Sequence, residues 1–285
     1  MPESNPLISA AGLAARLDDP TLRIVDCRWY LGRPGEGRRA YDAGHIPNAI
    51  HLDVDGELTG SPETGPGRHP LPAVGDFVRR LESAGVGDEH LVVAYDDVGG
   101  WVAARLWWML DDLGHERVVV LDGGWPAWLA AGGAVSTEVP SLPPARLHLR
   151  DRWTRVVDLN GLRSRLGEVV LLDARGAARY RGETEPIDAY PGHIPTARSA
   201  PTDANLSSSG EFLPATELAV RYAALDADGS VGDVVTSCGS GVSACHNALA
   251  LRIAGLPAPL LYPGSYSDWS RQGLPVAIGP DPGSP

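Results

Sequence analysis

Apolar residues gather in short unbroken runs along this chain instead of alternating with polar ones. Runs at 22–26, 91–95 and 118–121, and again at 169–173, 234–237 and 260–262, are dominated by Val, Leu and Ile. A run that short with no polar face predicts a strand covered on both sides, the usual state of a parallel sheet. Apolar residues at helical spacing lie between them, at 73–84 after Pro72, 103–113, 215–225 after Pro214, and 243–254. Proline suits the first turn of a helix, where its missing N–H would have had no partner. The alternation predicts an α/β chain, with a parallel sheet flanked by helices in each half. Trp107-Trp108, inside 103–113, is expected in the core or at a domain interface.

The halves copy each other. Ile24-Val25-Asp26-Cys27-Arg28 is answered by Leu171-Leu172-Asp173-Ala174-Arg175, and Ala43-Gly44-His45-Ile46-Pro47 by Pro191-Gly192-His193-Ile194-Pro195. Further on, Val92-Val93-Ala94-Tyr95-Asp96 matches Val234-Val235-Thr236-Ser237-Cys238, and Gly123, Trp128, Gly132 and Val135 match Gly264, Trp269, Gly273 and Val276. Order is kept, at a displacement of roughly 141 to 148 residues, so the repeating unit is a domain and not a solenoid turn. We read two domains, 1–134 and 153–285. The stretch 135–152 between them holds Pro140 and Pro143-Pro144, lacks an amphipathic period and reads as an extended linker. Residues 279–285 are expected to fray.

Composition narrows the chemistry. The net charge of −12 repels phosphate backbones and anionic lipid heads, which argues against nucleic acid and membrane partners. All 24 basic residues are arginine, so lysine-dependent phosphate loops, Schiff bases and kinase sites are excluded. Three cysteines with no C-x-x-C pair favour neither a disulfide scaffold nor a zinc site. Residues 1–15 lack the basic flank and apolar stretch of a secretion signal, and no run is long enough to span a membrane. A reduced, cytoplasmic protein is the expectation.

One cysteine is placed for chemistry. Cys238 follows the strand pattern 234–237 and precedes Gly239-Ser240-Gly241-Val242-Ser243-Ala244, which leads into a helix. Free backbone N–H groups and the positive end of the helix dipole converge at such a turn, and both favour a thiolate. Gly239 and Gly241 permit the backbone angles of an N–H cradle, and Ser240 and Ser243 add hydroxyls without charge. Arg179 and Arg181, on either side of Tyr180, would point the same way if their segment is extended.

These residues resemble the two-domain rhodanese sulfurtransferases. The resemblance rests on the string from Cys238 to Ala244, on Asp173-Ala174-Arg175, Arg179-Tyr180-Arg181-Gly182 and Gly192-His193-Ile194-Pro195, and on the tandem repeat, and it covers nearly the whole chain. The Cys-Gly-Ser-Gly-Val loop is similar to that of the 3-mercaptopyruvate sulfurtransferases, whereas thiosulfate-preferring members tend to carry Arg-Lys after the cysteine. The resemblance implies two rhodanese-like domains and a Cys238 thiolate that takes sulfur from a small anionic donor, mercaptopyruvate or thiosulfate. The resulting persulfide would pass its outer sulfur to cyanide, a small thiol or thioredoxin, with no metal or organic cofactor. Asp96 stands where the first half would need that cysteine, so the N-terminal domain is expected to be catalytically inactive, and Cys27 to be an inert core thiol. Arg179 matches the arginine that the family sets on the substrate carboxylate, a task suited to a planar guanidinium. A second arginine often follows in a Glu-Pro-Arg string; here the string reads Glu185-Pro186-Ile187. The resemblance also brings His45 to Ser240, with Glu36 behind it, as a proton relay. Because Gly-His-Ile-Pro recurs in both halves, a turn-stabilising role for His45 and His193 stands beside that reading. Cys245 is not expected to have a redox role.

Two alternatives share the thiolate. A phosphatase or arsenate reductase on the same fold would need Cys-x5-Arg, and at the arginine's place stands Ala244. A non-enzymatic persulfide carrier would differ only in its acceptor.

Overall fold

The computed structural model describes residues 5–63 and 65–285; residues 1–4, the start of the 1–15 stretch considered above, and Thr64 lie outside them. The chain forms two compact units. One comprises the chain up to Gly60, Pro72–Thr154 and Ser208–Phe212; the other comprises Ser61–Leu71, Arg155–Ser207 and Leu213–Pro285. The segment 135–152 thus lies within the first unit, and Ser61–Leu71, which belongs to the first half by sequence, lies within the second.

The first unit carries a five-stranded sheet of β1 (Leu7–Ile8), β2 (Leu22–Asp26), β3 (Ala49–His51), β4 (Leu91–Tyr95) and β5 (Val118–Leu121). Its order is β1-β5-β4-β2-β3, and all pairs are parallel. The second unit has β6 (Val170–Asp173), β7 (Arg198–Ser199), β8 (Val234–Ser237) and β9 (Leu260–Leu261), also all parallel, in the order β7-β6-β8-β9. Val156 adds a single parallel bridge to Leu261, where β1 pairs with β5 in the first unit. The four long helices expected from periodicity are present as Val74–Ser83, Ala103–Asp112, Ala215–Ala223 and Ala244–Ile253. Strands β1, β3 and β7 are two or three residues long and, unlike the equally short β9 with its run at 260–262, stand in no longer apolar run that a hydrophobic pattern could register.

Matching residues fill the two cores: Ile24, Tyr41, Ile46, Val93 and Trp128 in one, Leu171, Tyr180, Ile194, Val235 and Trp269 in the other. Fully burying a side chain such as Leu171 contributes about 1.5–3 kcal/mol. Trp107 and Trp108 are buried, Trp108 stacking on Trp153.

The repeated polar motifs also do the same job twice. Arg28 reaches Asp26 at 2.6 Å and the Gly44 carbonyl at 2.7 Å; Arg175 reaches Asp173 and the Gly192 carbonyl, both at 2.7 Å. Each buried guanidinium therefore ties the end of a central strand to its Gly-His-Ile-Pro turn. His45 stacks on Tyr41 at 3.9 Å, with its ring nitrogens at the carbonyls of Tyr41 and Glu138; His193 stacks on Tyr180 at 3.8 Å, at the carbonyls of Tyr180 and Asp281. The second of these clamps holds the chain end. With Thr196 N–H on the Pro282 carbonyl and Gly279 N–H on that of Arg181, residues 279–282 are tied down instead of frayed.

Candidate active site

Cys238 leaves β8 at the point where the backbone turns to enter the helix Ala244–Ile253, and only 2 % of it is exposed. Its sulfur accepts the backbone N–H of Gly241 at 3.0 Å and of Ser240 at 3.4 Å. The cradle expected from the glycine-rich string is therefore made by the loop itself, ahead of the first helical turn. Gly241 has φ +80°, and a Cβ there would lie 2.4 Å from the Pro263 carbonyl oxygen, so glycine is required. Val242 is buried, and the hydroxyl of Ser243 makes no capping bond.

Ser265 was not singled out by sequence. Its hydroxyl accepts the Cys238 N–H at 3.0 Å and lies 3.9 Å from Sγ. It is fully buried with φ +52°, where the first repeat has Gly124 at φ +55°. A side chain in that conformation costs about 1–2 kcal/mol. The hydroxyl offsets part of this through its bonds to the Cys238 N–H and the Tyr262 carbonyl.

Ser240 Oγ is hydrogen-bonded at 2.7 Å to Nδ1 of buried His69, not of His45. This corrects the relay expected above. Both nitrogens of His45 face backbone carbonyls within the first unit, and Glu36 pairs with Arg33 instead. His69 lies on Ser61–Leu71, the segment that packs in the second unit. There Gly67, at φ +72°, passes so close that a Cβ would meet the Gly264 carbonyl at 2.4 Å, and Arg68 N–H bonds Ser267 Oγ at 3.1 Å. A signal did exist: in register with Pro72 and Pro214, the second repeat carries Gly210-Glu211 where the first has Arg68-His69.

Two guanidinium groups stand over the loop. A methyl on Gly239 would lie 3.1 Å from Arg68 Nη2 and 3.5 Å from Arg179 Nη1. Arg179 bonds Glu185 at 2.7 Å and Asp188 at 3.0 Å, and Arg68 bonds the other oxygen of Asp188. Burial works to raise the Glu185 pKa, but bonds from Arg179 and from the Asp188 N–H outweigh it and hold it below the usual carboxylate range. Arg181 does not join them. Its segment is a single helical turn, Ala177–Tyr180, rather than extended chain, so Arg181 diverges from Arg179 and pairs with Glu183 at 2.6 Å.

The corresponding turn of the first unit is filled by its own side chain. The Asp96 carboxylate accepts N–H bonds from Val98, Gly100, Val102 and Ala103 at 2.8–2.9 Å. Cys27 is fully buried, and burial, with Asp26 and Asp96 adding to it, pushes its thiol well above the usual range. Cys245 S–H points at the Gly241 carbonyl from inside the helix. None of the three cysteines is in a disulfide. Among the described residues no helix is long and apolar enough to cross a membrane, and no group of three His, Cys, Asp or Glu is arranged to hold a metal.

Comparison with known proteins gives one consistent result. The rhodanese-like domain family matches residues 9–131 and 158–272. The chain is 44% identical over 278 residues to the Pseudomonas aeruginosa protein named "Probable 3-mercaptopyruvate sulfurtransferase", covering 96% of this chain and 98% of that one. It is 36% identical to the 3-mercaptopyruvate sulfurtransferase of Rattus norvegicus, covering 95% and 94% of the two chains. Among solved structures, 3-mercaptopyruvate sulfurtransferase from Leishmania major matches with a TM-score of 0.83 at 32% identity, covering 95% of this chain and 75% of that one.

Proposed function

The chain belongs to the rhodanese-like domain family and is a sulfurtransferase, and from that premise we propose that Cys238 carries the transferred sulfur and that 3-mercaptopyruvate is its preferred donor. The observation that carries the reading is the cradle of two loop N–H groups on one buried thiol, in a loop whose Ser240 is paired with His69 and whose Gly239 lies beneath two guanidinium groups. The likeness to sulfurtransferases over nearly the whole chain favours enzymatic sulfur transfer over the phosphatase and carrier alternatives, which share the thiolate.

In the first half-reaction the Cys238 thiolate attacks the donor's thiol sulfur. A sulfur–sulfur bond forms, the carbon–sulfur bond breaks, and its electron pair passes to the methylene carbon as the enolate of pyruvate. That carbon takes up one proton and the new persulfide gives one up, so the products are pyruvate and a persulfide anion. The Ser240 hydroxyl, backed by His69 at 2.7 Å, is the group placed to manage that proton. The N–H groups of Ser240 and Gly241 face negative sulfur before and after transfer. In the second half-reaction cyanide, a small thiol or thioredoxin attacks the outer sulfur and returns the thiolate. Loop residues Gly239 and Ser240 carry no charge, so a dianion such as thiosulfate gains less there than a keto acid, whose leaving group the relay can protonate.

Purified protein given cyanide should form thiocyanate with a higher kcat/KM from 3-mercaptopyruvate than from thiosulfate, and His69→Ala should slow pyruvate release on the order of 100-fold. Thiocyanate from neither donor sinks the reading; equal loss in His45→Ala and His69→Ala sinks the relay.

A further inference from the structure

We propose that Arg68 is a specificity-determining residue that, with Arg179, clamps the carboxylate of the donor. The inference deepens the reading of Cys238 as the sulfur carrier and rests on it. Three features of the second unit support it.

The first is position. Arg68 Nη2 and Arg179 Nη1 both overlook the Cα of Gly239, the residue next to the nucleophile, at 3.1 and 3.5 Å from a Cβ built there. The second is a set of unused donors. Arg68 spends Nη1 on Asp188, while among the described residues neither its buried Nε nor its Nη2 has a hydrogen-bond partner. Arg179 spends Nε and one terminal nitrogen on Glu185 and Asp188, leaving Nη1 facing the loop. The donors that face the loop, Arg68 Nη2 and Arg179 Nη1, can each make a charge-assisted bond to an incoming carboxylate without giving up a bond they already have. The third is charge. Arg68, Arg175 and Arg179 are met by Asp173, Glu185 and Asp188, so the cluster has no surplus positive charge with which to attract anions indiscriminately. What it offers is directed N–H groups from two forks held against one carboxylate, Asp188. That geometry selects a planar monoanionic carboxylate by shape.

The test pairs a residue with a substrate group. 3-Mercaptopyruvate is compared with mercaptoacetone, the same keto thiol without the carboxylate, by thiocyanate formation in the unmodified protein, Arg68→Met and Arg68→Lys. Arg68→Met is expected to lower kcat/KM for mercaptopyruvate about 10- to 100-fold, mostly through KM, and to shrink the preference over mercaptoacetone by the same factor. Arg68→Lys keeps a cation for Asp188 but not the fork, and should fall between. An undiminished preference in active Arg68→Met, or in Arg68→Lys should the Met variant not fold, overturns the assignment of Arg68 alone. An unmodified protein that yields thiocyanate from neither donor overturns the sulfur-transfer reading and the clamp with it.

Discussion

Cys238→Ser is expected to lose sulfur transfer from both mercaptopyruvate and thiosulfate by a factor on the order of 10⁴ or more, while unfolding at nearly the same temperature. A serine hydroxyl is almost wholly protonated at neutral pH and forms no stable oxygen–sulfur counterpart of a persulfide. Its oxygen can still accept the N–H groups of Ser240 and Gly241, and the backbone bond from residue 238 to Ser265 Oγ is untouched. Fold and chemistry thus separate cleanly at this position. Thiocyanate assays run beside thermal unfolding decide the matter. Retention of a tenth of the activity would show that another sulfur does the work, and a collapse in stability would show that the thiol is mainly a packing element.

Arg175→Ala is expected to destabilise the second unit by about 3–5 kcal/mol, among the largest effects open to a single surface-neutral change. The guanidinium is about 1% exposed and binds Asp173 through two nitrogens, as well as Glu185 and the Gly192 carbonyl. It also lies 3.8 Å from the centre of the Tyr266 ring, and the Tyr266 N–H bonds the Cys238 carbonyl. Burial works to lower the Arg175 pKa, but Asp173, and Glu185 more weakly, hold it above the ordinary arginine value. Removing the cation leaves the Asp173 carboxylate in the dark of the core, at the end of the strand beside β8. Replacing both partners with apolar residues, Asp173→Leu with Arg175→Met, should recover a good part of the loss. Denaturant titration of the single and double variants measures both. A loss under about 1 kcal/mol for Arg175→Ala would mean that the pair is not the tie described here.

The features legible in the sequence were those written in local pattern. Unbroken apolar runs gave the long strands, since a doubly covered strand has no polar face to interrupt it. The repeat put Asp96 opposite Cys238, and the string after Cys238 announced a turn lined with N–H groups. The misreadings have equally local causes. Arg179 and Arg181 were expected on one side because extended chain repeats every second residue, whereas the single turn at Ala177–Tyr180 sends them apart. The resemblance points to His45 as the partner of Ser240, whereas the recurrence of Gly-His-Ile-Pro points to a turn-stabilising role, and the stacking of His45 on Tyr41 agrees with the second. His69 and Arg68 carry no local signal because Ser61–Leu71 packs in the unit formed mostly by the other half of the chain, and His69 lies 171 residues from Ser240 along the sequence. No periodicity reports such a contact. Only the failure of the repeat at that point marks the segment as having separate work.

The most direct measurement is the intact mass and peptide map of the protein after brief exposure to 3-mercaptopyruvate without acceptor. The expected result is a gain of about 32 Da, one sulfur atom, on the peptide containing Cys238, removed by cyanide and absent in Cys238→Ser. The same gain on Cys27 or Cys245 instead, or steady turnover with no sulfur ever found on Cys238, would contradict the account.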